Sequence, residues 1–205
     1  MTLKPVRTIA TVHKSIFLTF DDGPEPGMTE KVLDLLDDFE IKATFFVIAE
    51  KARKYPTLLK EIQARAHSIG NHSLDHRFSR YFNGYASTLK WIGDSEKIIS
   101  DLIGAQTIGF RPPWGVRTPA LTRVLEQLQM PLILWNTRFY DAVVPWTPEK
   151  ALRSIQNAQS GAIVLLHDRQ PEDRMPLFLN ALRVYIDAAK KDGFEMRNLS
   201  RSEVI

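Results

Sequence analysis

The sequence predicts an α/β fold in which parallel strands close, or nearly close, into a barrel. Three observations predict it. Short apolar runs alternate with amphipathic stretches along all 205 residues, the pattern of a parallel sheet covered by helices. About six or seven such units recur, which suits a barrel better than a small open sheet. Ionisable residues also collect at the C-terminal ends of the apolar runs, the rim where parallel β/α folds carry their chemistry.

The elements follow in order. Residues 15–20, SIFLTF, read as the first strand. In residues 28–40, Val32, Leu35, Leu36 and Phe39 recur at three-and-four spacing and predict a helix. Residues 43–48, ATFFVI, predict a second strand, and 56–66 a helix that starts on Pro56. Residues 67–72, HSIGNH, predict a short third strand, followed by a long helix over 85–103. A fourth short strand is expected in IGFRPP, 108–113, then a helix over 118–129 with proline at its start. PLILW, 131–135, predicts a fifth strand and 147–158 a helix; AIVLL, 162–166, predicts a sixth strand and 175–191 a helix; FEMRNL, 194–199, predicts a seventh strand. There is no internal repeat, linker or low-complexity segment, so one domain over 1–205 is expected, with a core of about 15–199.

Composition narrows the function. With 44% hydrophobic and 25% charged residues, the chain can bury a sizeable core without staples. It has no cysteine, which excludes disulfides, thiolate chemistry and a cysteine-ligated metal. A net charge of +3 is mildly basic, and no basic arm suggests nucleic acid. No run approaches the ~20 apolar residues that a membrane span needs. Residues 1–15 show no apolar core of signal-peptide length. The compartment therefore stays open between the cytoplasm and a trimmed form of an exported protein.

Two short stretches carry the chemistry. In HSLDH, His72 and His76 stand four apart; on a helical turn they would share one face and could grip one cation. Asp22 is at hand as a third ligand. Two imidazoles and one carboxylate leave coordination positions for water and substrate, the pattern of a catalytic metal. The alternative is a pair of surface histidines on a loop. In TFDDGP, Asp21 and Asp22 end the first strand side by side. Neighbours on a regular strand face opposite ways. Both acids can reach one pocket only if the backbone leaves strand geometry, which Gly23 permits and Pro24 encourages. Two unshielded carboxylates would repel; a cation on one and an arginine on the other remove that penalty. The alternative is a turn with two solvated acids.

TFDDGP, HSLDH, RPPWG and the LLH of AIVLLHD, in that order, resemble the motifs of polysaccharide deacetylases of carbohydrate esterase family four, over Phe17 to about Leu199. The resemblance implies a distorted (β/α) barrel of about seven strands. It implies that Asp22, His72 and His76 hold a divalent metal, commonly zinc, with cobalt or another divalent ion as the alternative. Asp21 would be the general base and Arg111 would hold it ionised. His167 would be the general acid, paired with Asp141. The first backbone N–H after Arg111 belongs to Trp114, because Pro112 and Pro113 have none; that amide would face the oxyanion. Leu165 would line the pocket for the acetyl methyl. Asp168 reads as a loop or cap residue.

The implied reaction is removal of an acetyl group from an N-acetylglucosamine-containing glycan, peptidoglycan or chitooligosaccharide, by a monomer of the cell envelope or exterior. The alternatives are an O-acetyl esterase on a glycan such as xylan, a barrel that binds glycans without cleaving them, and a metal-independent hydrolase of cyclic amides, which the two metal histidines disfavour. One motif departs from the family. Arg138 stands where a first acid is expected, Asp141 fits the second, and Ala142 replaces a tryptophan. Trp146 could fill that gap from the loop. Aromatic residues gather there as Phe139, Tyr140 and Trp146, and again as Phe78, Tyr81, Phe82 and Tyr85, where they could pack on sugar rings.

Overall fold

The computed structural model describes residues 3–205. Its centre is β1 (Ser15–Asp21), in which every residue is buried. A strand covered on both faces reads as a continuous apolar run, which is what SIFLTF is. Around it stand β2 (Thr44–Val47), β3 (Ser68–Asn71), β4 (Thr137–Arg138), β5 (Ala162–His167) and β6 (Glu195–Met196). The sheet order is β3–β2–β1–β5–β4, with β6 pairing with the start of β1, and every pairing is parallel. The helices are α1 (Thr29–Asp38), α2 (Ala49–Lys54), α3 (Pro56–Ala64), α4 (Gly84–Ile103), α5 (Pro119–Gln127), α6 (Pro148–Ile155), α7 (Met175–Lys191) and α8 (Arg201–Val204). Two 3₁₀ turns cover Phe78–Phe82 and Pro113–Gly115.

The expected fourth and fifth strands are corrected to isolated bridges. Phe110 pairs with Asn71 on one side and Leu132 on the other, and Val6 pairs with Ile133. Pro112, Pro113 and Pro131 remove the donors a longer ladder would need. These bridges still close the ring. Residues 132–133 pair toward β3 through Phe110, and residues 137–138, a few positions on, pair with β5. The result is a distorted (β/α) barrel. The seventh strand is reduced to Glu195–Met196.

Alternation along the strands builds two cores. Ile16, Leu18 and Phe20 face outward under α1 and α7 with Val32, Leu36, Phe178 and Leu182. Phe17, Phe46, Ile133 and Ile163 face inward, joined by Leu199 and Val204 from the C-terminal end. Helix starts follow local rules. Thr118 caps α5 by accepting from Leu121 N–H, and Thr147 caps α6 by accepting from Lys150 N–H, each just before a proline. Helix α4 stops at Gly104, whose φ of 69° suits glycine.

Candidate metal centre and active site

The two acids of TFDDGP part company at the end of β1. Asp21 keeps strand register opposite His167 of β5. Asp22 takes a left-handed φ of 77° and swings its carboxylate round to the same side. The unusual dihedral therefore falls on Asp22 and not on Gly23, as the sequence suggested. Gly23 is required for another reason: a Cβ there would lie 2.3 Å from Asp168 Oδ2.

Asp22 Oδ1 is buried without a hydrogen-bond partner among the described residues. It faces His76 Nε2 at 3.2 Å and His72 Nε2 at 3.5 Å. One ligand atom from each residue lies within 4.8 Å of the others. His72 Nδ1 is 2.7 Å from the Arg111 carbonyl. A carbonyl only accepts, so Nδ1 carries a proton, and Nε2 is the nitrogen left to face Asp22 and to bind an ion when the ring is neutral. Burial favours the neutral form of Asp22, but the neighbouring His72, with His76 and His167, outweighs it and holds Asp22 well below the ordinary carboxylate range. Burial, reinforced by His72, lowers the pKa of His76 and keeps its ring neutral, as a ligand must be. Two imidazole nitrogens and one ionised carboxylate fit a divalent metal ion. The helical turn expected for HSLDH is absent: residues 72–76 form an open loop, with Ser73 and His76 at φ of 76° and 53°. The loop brings the rings to 5.1 Å between centroids.

Asp21 is tied on its other oxygen. Arg111 Nη1 donates to Asp21 Oδ1 at 2.8 Å and to Thr19 Oγ1 at 2.6 Å, and Nη2 donates to the Leu134 carbonyl at 3.1 Å. Arg111 is fully buried, and its guanidinium lies 3.9 Å from the Phe46 ring centroid. Thr19 itself donates to the Val164 carbonyl at 2.7 Å. Sequence reasoning missed Thr19, since one hydroxyl inside an apolar run gives no pattern signal. Leu165 sits beside it in register, nearly buried on β5.

His167 ends β5 with Nδ1 3.1 Å from Asp141 Oδ1. Asp141 Oδ2 accepts from His167 N–H at 2.8 Å and from Gln170 Nε2 at 3.0 Å. Gln170, buried and also missed, thereby helps to fix the Asp141 carboxylate. Burial alone would lower the His167 pKa; the hydrogen bond and charge of Asp141, with Asp21 and Asp22 behind, push it up to about 9. At neutral pH the imidazole holds its proton.

Trp114 follows the two prolines at φ 56°, its ring 4.4 Å from that of His76. Arg138 is exposed and stacks over Tyr140 at 4.2 Å. Trp146 does not fill the place left by Ala142. It is buried against Phe139, Phe178 and Tyr185 in the outer core, where its apolar area is covered. Asp168, expected as a loop or cap residue, is fully buried and accepts from Thr29 Oγ1 at 2.6 Å.

The chain is similar to known proteins over most of its length. The family described as polysaccharide deacetylase matches residues 8–133. Chitooligosaccharide deacetylase of Azorhizobium caulinodans is 30% identical over 91% of this chain and 93% of its own. Peptidoglycan-N-acetylglucosamine deacetylase of Bacillus cereus is 32% identical over 92% of this chain and 87% of its own. The solved structure of the Bc1960 peptidoglycan N-acetylglucosamine deacetylase, in complex with a hydroxamic acid, superposes with a TM-score of 0.86 at 26% identity, covering 95% of this chain and 90% of that one. The chain belongs to the polysaccharide deacetylase family.

Proposed function

We propose that the chain is a divalent-metal-dependent hydrolase that removes N-acetyl groups from N-acetylglucosamine-containing glycans, peptidoglycan or chitooligosaccharide, with zinc as the ion. The relatives named for those two substrates support the reading. The observation that carries it is the division of labour between adjacent acids. Asp22 Oδ1 faces two imidazole nitrogens, Asp21 Oδ1 is clamped by Arg111, and His167 stands opposite Asp21 in register.

Asp22, His72 and His76 would hold the ion, which supplies Lewis-acid polarisation and makes water far more acidic than in bulk. Asp21 takes a proton from the attacking water on Oδ2, the oxygen that Arg111 leaves free. Arg111 keeps that carboxylate oriented and compensates its charge inside the barrel. The Trp114 amide donates to the developing oxyanion, and Leu165 walls the acetyl methyl. His167 delivers its proton from Nε2 to the departing nitrogen, because Nδ1 is committed to Asp141. Without that proton the step would expel an amide anion.

The test is acetate release from N-acetylglucosamine oligomers by protein stripped with a chelator and then reloaded with zinc or cobalt. Acetate that appears only after reloading is the expected result. Release that is indifferent to the metal, or none in either state, overturns the reading.

A further inference from the structure

Three aromatic side chains stand outside the pocket just described. Phe82 is 71% exposed, Trp114 54% and Phe78 50%. Their rings form one chain of contacts leading away from the metal centre. The Trp114 ring is 4.4 Å from His76, Phe78 is 5.3 Å from Trp114, and Phe82 is 5.5 Å from Phe78. Single exposed apolar residues need no explanation, but a contiguous patch beside a site does.

The turn that displays these rings is held firmly from beneath. The Asp75 carboxylate, with its side chain only 2% exposed, accepts from Arg80 Nε at 3.0 Å, Arg80 Nη2 at 2.9 Å and Trp91 Nε1 at 2.8 Å. Tyr81 points inward and donates to the Pro113 carbonyl at 3.1 Å. That bond joins the 3₁₀ turn to the loop that carries Trp114, so the two backbone segments that carry the rings are tied together. Phe78 and Phe82 thus remain in water although their neighbours are locked to the body of the protein. Aromatic rings carried on a braced turn cost less entropy to order, which is what a binding surface needs.

The occupant must be continuous with whatever reacts beside His76. It must also offer flat, weakly polar faces to aromatic rings. A pyranose ring further along a glycan strand has both properties. We propose that Phe78 and Phe82, continuing from Trp114, form a platform for a sugar ring outside the residue that is deacetylated. This inference rests on the glycan reading above and adds where the strand runs: out over the 78–82 turn.

The test compares wild type with Phe78→Ala/Phe82→Ala, and uses Leu152→Ala, an exposed apolar side chain on α6, as control. Two quantities are read on the zinc-loaded protein: the gain in kcat/KM from the N-acetylglucosamine dimer to the hexamer, and co-sedimentation with insoluble chitin and peptidoglycan at 4 °C. The double variant should lose about tenfold in both, in line with truncated aromatic anchors elsewhere, while the control keeps both. Turnover with no length dependence, or a double variant that keeps the full gain, overturns the platform and leaves the deacetylase reading standing. Sedimentation that depends on the two rings without any acetate release supports the platform and overturns the deacetylase reading. Neither turnover nor sedimentation in wild type overturns both.

Discussion

Arg111→Met would cut the clamp on Asp21 while nearly filling the same volume. The guanidinium is fully buried and makes hydrogen bonds to Asp21, Thr19 and the Leu134 carbonyl. Its loss leaves the Asp21 carboxylate, 2% exposed, inside the barrel without its cation. Breaking a buried pair by removing one partner costs about 3–5 kcal/mol, chiefly because the remaining charge is uncompensated. That is a large share of the ~5–15 kcal/mol that keeps a domain folded. If the stranded charge is the cause, Arg111→Met/Asp21→Asn should recover about 2 kcal/mol or more of the loss, since neither charge then remains. Urea denaturation of the two single variants, the double variant and wild type supplies the cycle. A single-variant cost under ~1 kcal/mol, or a double variant whose losses simply add, would refute the view that Arg111 and Asp21 act as one buried unit.

Other predictions follow from the same geometry. His167→Ala should depress kcat on N-acetyl substrates by about 10²–10⁴-fold, and on an O-acetyl ester of a sugar by much less, because an alkoxide leaves more readily than an amine. Equal losses on both would remove His167 as the general acid. His67 accepts from Ala43 N–H at 3.1 Å, and burial, with Lys42 close by, lowers its pKa to about 4. The unfolded chain takes up this proton near pH 6.5, before the folded one does, so stability should fall by about 3 kcal/mol as pH drops from 6.5 to 4 and then level off for this group. Denaturation midpoints of wild type and His67→Asn across that window check it, the variant having the shallower slope. Gly23→Ala should destabilise by about 1–3 kcal/mol, because the new methyl meets Asp168 Oδ2 at 2.3 Å. Asp168→Ser should relieve part of that cost, as thermal midpoints would register.

How much of this was legible in the sequence depended on the range of the signal. Asp21, Asp22 and His167 could be found because each ends an apolar run, and a run's end is local information. The three long amphipathic helices α1, α4 and α7 were readable for the same reason. The fourth and fifth strands were not, since IGFRPP and PLILW have strand composition but hold their places through single bridges between distant segments. HSLDH has helical spacing, yet its ring approach comes from left-handed turns at Ser73 and His76 that no periodicity encodes. Thr19, Gln170 and Asp168 matter through partners 92, 29 and 139 residues away. Only the fold reveals such pairings. Trp146 shows the reverse error: an aromatic residue in a loop can still belong to the core.

The uneven closure of the barrel divides its mouth into a half closed by continuous strand pairing and a half closed by isolated bridges. Asp21 and His167 ride on β1 and β5, which share six register pairs. Opposite them, the segment that leads into Arg111 and Trp114 meets residues 131–133 through two backbone hydrogen bonds, Phe110 N–H to the Pro131 carbonyl and Ile133 N–H to the Phe110 carbonyl. That seam holds fewer backbone bonds than the β1–β5 pairing, although Phe110, Leu132 and Ile133 are all buried along it. The Arg111 side chain reaches across the lumen to β1 and to the Leu134 carbonyl, and so laces the seam shut from inside. One residue therefore ties the sparsely paired wall to the densely paired one. A shift of the 110–114 segment would therefore reach the Asp21 carboxylate through a single side chain.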